Sequence, residues 1–292
     1  MASFLPEGAS WSAMLAGVLV TAIFIAGLTI DCILLTSIAK WREVWDEKCR
    51  RLRERPWNGN DVLHMLLVMG SVFAAMILAS QMMHHCCIIL SDNAERLLML
   101  GETLFMQGVA IATIAMLRNK HNRSVSDCFS RSPSGWARDL RQGVLLYLAM
   151  MPLVIASAVL ANLVLQGFNM PVESQDILKG FADPTAPLWF RVYLIGMAVF
   201  LAPLVEESAF RGIALPVATK YATPTAAIIT VSVLFALIHG HVPAAAPLCV
   251  IAVGFSVAYI YSESILVPIT MHALFNATNL VIFYLSYDMT QI

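Results

Sequence analysis

Charge is what this sequence has least of. Of its 292 residues only 13% are charged, whereas 59% are hydrophobic, and the mean hydropathy is +0.75. A soluble domain carries about a quarter charged residues. Half that share cannot furnish the surface of a soluble enzyme or keep a disordered chain in solution. Nor does it supply the basic field that a nucleic-acid partner needs. Paired cysteines are missing too. Cys32, Cys49, Cys86, Cys87, Cys128 and Cys249 contain no CxxC pair and no regular spacing. That excludes a disulfide framework and a zinc finger. Common catalytic signatures are also absent: there is no HExxH, no GxSxG, no P-loop and no GxGxxG. The matched pair of broken helices expected of an inverted-repeat transporter is absent as well.

Long apolar runs are what the sequence has instead. A membrane helix needs about 20 mostly apolar residues. Eight segments qualify, at about 12–38, 62–83, 97–117, 143–166, 188–219, 222–240, 245–261 and 265–287. The expected fold is therefore all-α, a polytopic integral membrane protein with about eight transmembrane helices and the lipid bilayer as its surroundings. The first run is too long for a signal peptide, and Glu7 is the one charged residue ahead of it. It is expected to stay in the membrane.

Basic residues are segregated. Lys40, Arg42, Lys48, Arg50, Arg51, Arg53 and Arg55 fall in one inter-span segment. Arg118, Lys120, Arg123, Arg131, Arg138 and Arg141 fall in another, so 13 of the 18 Lys and Arg lie in two segments. The alternate loops hold only Arg96 and Lys179. The positive-inside rule places the two basic loops in the cytoplasm and both ends of the chain outside. Two further patterns carry little weight. Asn122-Arg-Ser and Asn276-Ala-Thr fit a glycosylation acceptor, but one is in a cytoplasmic loop and the other inside a span. In His84-His85-Cys86-Cys87, adjacent residues on a helix point apart, which disfavours a metal site.

Ionisable residues inside spans are costly and mark function by default. Asp31 and Glu102 stand without a patterned partner and read as packing groups. Glu206, Glu207, Arg211, His239 and His272 form a pattern. Glu207 and Arg211 are four apart, acid first, the favourable order for a helical pair. Glu206 points about 100° away from Glu207 and is not consumed by Arg211. His272 and Asn276 share a face of the last span. Glu206 lies 14 residues before Lys220, and His239 lies 15 after Pro224. Both are therefore about 21–23 Å from the same turn. From Ser264, His272 is about 12 Å and Asn276 about 18 Å deep. Three helices thus aim a carboxylate, two imidazoles and an amide at one pocket, with Pro203, Pro216 and Pro268 as kinks that would open it.

Such a set suits amide hydrolysis. Glu206 with His239 would take a proton from water, and His272 with Asn276 would donate to the oxyanion. Glu207 and Arg211 would brace the helix. Two His and one Glu are also a zinc ligand set, so Glu206, His239 and His272 would equally hold a catalytic zinc and its water.

In order and spacing, Glu206-Glu207-Ser-Ala-Phe-Arg211, Phe235-Ala-Leu-Ile-His239 and His272-Ala-Leu-Phe-Asn276 resemble the three motifs of the CPBP intramembrane protease family. The family includes Rce1-like type II CAAX prenyl endopeptidases and bacterial relatives linked to bacteriocin self-immunity. Gly212 and Pro268-Ile269 also resemble the pattern, and the resemblance covers roughly 196–280. It implies an eight-helix membrane fold with the site in a conical cavity. It also implies endopeptidase activity on a peptide or lipidated protein, prenylated in the CAAX members. The same four residues carry the roles above, in a multi-pass protein of a prokaryotic plasma membrane. The chain then divides into N-terminal helices with two basic loops, 1–142, and a catalytic membrane core, 143–292. A non-enzymatic immunity or binding protein on the same scaffold is the alternative, and a small transporter or channel is the third reading.

Overall fold

The computed structural model describes residues 11–36, 38–86, 90–122, 124, 135–170, 180, 183 and 185–286. Glu7, Cys87, Arg123, Cys128, Arg131 and Lys179 lie outside them, as does the side chain of His84. Among the described residues the main elements are nine helices. They are α1 Trp11–Leu35, α2 Ile38–Arg53, α3 Gly59–His85, α4 Asp92–Lys120, α5 Trp136–Gly167, α6 Leu188–Tyr221, α7 Pro224–Ile238, α8 Val242–Ser262 and α9 Leu266–Ser286. In hydrocarbon each backbone group must be satisfied inside its own segment, which is why these apolar runs form helices. Seven are long and apolar enough to cross a membrane. The protein is an all-α, multi-pass membrane protein.

Two expectations change. The span placed at 222–240 is the 15-residue α7. At 1.5 Å per residue it covers about 22 Å, short of the roughly 30 Å hydrocarbon core. It starts sharply because the Thr223 hydroxyl accepts from the Ala226 N–H and Pro224 fits the first turn. It ends early at Gly240, whose φ of +60° turns the chain back.

The basic stretch 40–60, read as a loop, is mostly α2. Its Trp45, Cys49 and Leu52 recur at helical spacing and pack onto α6, α7 and α8, beside Leu215, Ile228 and Tyr259. Trp41 stacks on Tyr261 at 4.0 Å, and Lys48 pairs with Glu263 at 2.8 Å. Thus α2 lies across the basic end of the bundle as a plate. Behind it, buried Asp61 takes Lys120 at 2.7 Å and His121 at 2.8 Å, tying α3 to α4. Lys220 donates to the Arg55 and Trp57 carbonyls.

The core lies between α5, α7, α8 and α9, around Tyr147, Phe235, Ile251, Phe255 and Met271. Small residues let these helices approach. At Gly143 an added Cβ would sit 2.6 Å from Thr270 Cβ, so α5 and α9 touch there. At Gly27 it would run into Leu148 and Pro152, so α1 is seated on α5.

Prolines do not break α6. π-turns at Met197–Leu201 and Phe210–Ala214 sit within it. Pro203 and Pro216 lack the N–H that would reach Val199 and Gly212, both inside those turns. The wider turns absorb the missing bonds. Glu206 and Glu207 stand between them.

Candidate active site

Residues from α6, α7 and α9 meet at one place. Glu207 and Arg211 are fully buried, and Arg211 Nη1 donates to Glu207 Oε1 at 3.0 Å. Arg211 Nη2 donates to the Ala252 carbonyl at 2.9 Å. Its guanidinium lies 4.7 Å from the centre of the Phe235 ring and 5.1 Å from that of Phe255. The charge is thus paired, hydrogen-bonded and faced by π-electrons, which burial demands.

The same carboxylate reaches across to α9, where His272 Nδ1 lies 2.8 Å from Glu207 Oε1. A carboxylate facing Arg211 is an acceptor only, so Nδ1 carries the proton and donates. The ring is clamped by a stack on Phe255 and an edge contact with Phe235. Its Nε2 then faces Glu206, with Oε2 at 4.0 Å.

His239 ends α7. Its Nδ1 lies 2.7 Å from the Phe235 carbonyl, which can only accept. That fixes the tautomer and leaves the Nε2 lone pair free to face Glu206 Oε2, 3.8 Å away. Glu206 Oε2 is buried and accepts no hydrogen bond among the described residues. Both the Glu206 and His239 side chains keep 24% exposure, because they border a cavity of about 550 Å³.

Asn276 lines that cavity too. Its Nδ2 donates to the Ala198 carbonyl at 2.7 Å, within the first π-turn. The second amide hydrogen remains for another acceptor.

Glu206, His239, His272 and Asn276 are therefore brought together, with Glu207 and Arg211 behind them. Asp31 and Glu102 do not line the cavity. Asn279, one turn beyond Asn276, and His241, which caps α8, do line it. So do Val20 and Ile23 of α1. The spacing of Asn276 and Asn279, three apart on one helix, was the available signal for Asn279. The contribution of α1 had none.

Zn–N and Zn–O bonds of about 2.0–2.1 Å place tetrahedral donors about 3.4 Å apart. The separations from Glu206 to the two imidazoles, 3.8 and 4.0 Å, are wider. Among the described residues no group of three His, Cys, Asp or Glu is arranged to hold a metal ion.

Residues 187–278 match the family model of the Rce1-like type II CAAX prenyl endopeptidases, and all three motifs fall inside the match. This is consistent with the CPBP family. No curated protein and no solved structure matches the chain.

Proposed function

We propose that this protein is a glutamate-type intramembrane endopeptidase. The observation that carries the proposal is that Glu206 Oε2 lies 3.8 Å from His239 Nε2 and 4.0 Å from His272 Nε2, with Glu206, His239 and Asn276 lining the cavity and His272 buried behind them. Glu206 Oε2 and His239 Nε2 are two acceptors 3.8 Å apart, which suits a water molecule with two hydrogens to give.

In this mechanism water donates to Glu206 and His239. As its oxygen bonds to the scissile carbonyl carbon, Glu206 takes the proton. The oxyanion receives hydrogen bonds from Asn276 and from His272. Glu207 on Nδ1 holds the His272 ring in place, and donation from Nε2 requires that nitrogen to carry a proton as well. Glu206 then passes its proton to the leaving amine, the C–N bond breaks, and a carboxylic acid and an amine depart. Arg211 holds Glu207 in place and touches no reacting atom.

The family match supports a protease acting on a membrane-associated peptide, in CAAX members near a prenylated cysteine. The host implied by the bacterial relatives is a prokaryotic plasma membrane. Zinc on Glu206, His239 and His272 is the second chemistry, which the wide donor spacing disfavours. The test is cleavage of a panel of lipopeptides and transmembrane peptides by reconstituted protein. Glu206→Ala and His239→Ala are each expected to abolish it. Cleavage unchanged in both would overturn the assignment.

A further inference from the structure

The direction in which the cavity opens can be read from its wall. Consecutive spans alternate in direction, so the turns gather at two ends of the bundle. The basic end holds α2, the end of α4, the start of α5, and the turns at 222–223 and 263–265. The opposite end holds the start of α1, the α7–α8 turn and the end of α9.

By helix rise, the wall residues lie within about a turn of the level of Glu206 or on the side away from the basic end. On α6 the wall runs from Ala198 to Glu206, and none follows Glu206. On α9 it runs from Phe275 to Ser286. On α5 it starts at Met151 and reaches Ala158. On α8 it stops at Leu248. From Asn276 to Ser286 the cavity covers about 15 Å along the helix. The short α7 explains the opening: it ends after 15 residues, and the turn that follows puts His241 on the cavity wall. Irregular backbone at such depth is tolerated where it lines a cavity.

The basic end is closed. Buried Trp57, Leu117, Ile213 and Val217 fill it on one side, and Leu215, Ile228, Val231 and Tyr259 under α2 fill it on the other. Thirteen of the 18 Lys and Arg mark that end as cytoplasmic.

We propose that the cavity takes its substrate from the extracytoplasmic side. The substrate class is a polypeptide held in the outer leaflet by an apolar anchor. Val154, Ile155, Leu280 and Ile282 would receive the anchor, and the peptide would lie against Asn279 and Asn276 with its scissile carbonyl at Glu206. A C-terminus prenylated in the cytosol would meet the closed end. The substrate assignment rests on the peptidase reading; the direction of access does not.

The test uses the full chain with its native cysteines replaced by alanine. Ser286→Cys and Ala158→Cys report the mouth, and Glu54→Cys reports the basic end. A membrane-impermeant maleimide added to right-side-out vesicles is expected to label both mouth positions and leave Glu54→Cys unlabelled. Inside-out vesicles should give the reverse. Mouth positions labelled only in inside-out vesicles, or from neither side, would overturn the proposal. Labelling needs no turnover, so this result stands or falls apart from the peptidase reading. For the substrate, membranes carrying wild-type protein and Glu206→Ala are compared by mass spectrometry. Wild-type-dependent cuts should map to the outer half of the bilayer or beyond. Cuts at cytosolic C-termini would overturn it.

Discussion

His272 Nδ1 donates to Glu207 Oε1 at 2.8 Å, joining α9 to α6 across 65 residues of sequence. The same oxygen accepts from Arg211. One buried carboxylate therefore neutralises a guanidinium and orients a site imidazole. Neighbouring Glu206 makes no hydrogen bond through Oε2 among the described residues and borders the cavity. The two adjacent glutamates differ in their partners, and their variants should differ in kind.

Glu206→Gln should lose cleavage while the fold keeps its stability, because a partly exposed group with no short partner is replaced by an isostere. Glu207→Gln should lose both. It leaves the Arg211 charge buried without its counter-ion, a change that costs about 3–5 kcal/mol. Thermal unfolding of the two purified variants in detergent, beside a peptide-cleavage assay, separates them. Equal destabilisation in both would contradict the division of roles.

Arg211→Lys should also destabilise, by about 1–3 kcal/mol. The guanidinium reaches Glu207 and the Ala252 carbonyl at once while facing Phe235 and Phe255. A single ammonium cannot make that fork. The same unfolding measurement checks it, and unchanged stability would show that the fork adds nothing over a point charge.

Much of this was legible in the sequence, for reasons of depth. Helix rise alone put Glu206, His239 and Asn276 at one level, because α6, α7 and α9 run from turns at the same end. The link from Glu207 to His272 was not legible, since the spacing to Arg211 already accounted for Glu207. Neither was the bond from Asn276 to Ala198, which depends on the first π-turn in α6. Helix α2 was hidden because charge dominates its composition; its Trp45, Cys49 and Leu52 stripe becomes visible only when periodicity is weighed above hydropathy. The seat of α1 on α5 depends on Gly27 meeting Pro152, a contact between distant segments.

Asn276→Ala should lower kcat by about 10²–10³-fold, the usual effect of deleting one oxyanion donor, with a smaller change in KM. Because the variant also strands the Ala198 carbonyl, Asn276→Ser serves as a partner variant with a donor still present. Recovery of part of kcat in Asn276→Ser supports donation to the oxyanion. A KM effect with kcat intact would assign Asn276 to binding instead.

Chelation separates the two chemistries. Protein dialysed against a strong chelator should keep its cleavage rate, and elemental analysis should find no stoichiometric zinc. A rate that falls on chelation and returns with added zinc would move the water from Glu206 and His239 onto a metal.

Helices α5 and α9 both line the cavity and touch at Gly143, which makes Gly143 a sensitive position. A Cβ there would lie 2.6 Å from Thr270 Cβ, 2.9 Å from its Cγ2 and 3.0 Å from the Val267 carbonyl oxygen. Backbone and a β-branched side chain can yield little, so α9 must shift away from α5. Overpacking of this kind costs about 1–3 kcal/mol. It would also move His272 and Asn276, which ride on α9 one and two turns beyond the contact. Gly143→Ala should therefore lower both the unfolding temperature and kcat. Gly108→Ala is the control: nothing lies within 4 Å of its added Cβ, and Ala favours a helix interior over Gly by about 0.5–1 kcal/mol. That variant should be neutral or slightly more stable, with cleavage unchanged. If Gly143→Ala behaved like Gly108→Ala, close contact between α5 and α9 would not be what positions the site.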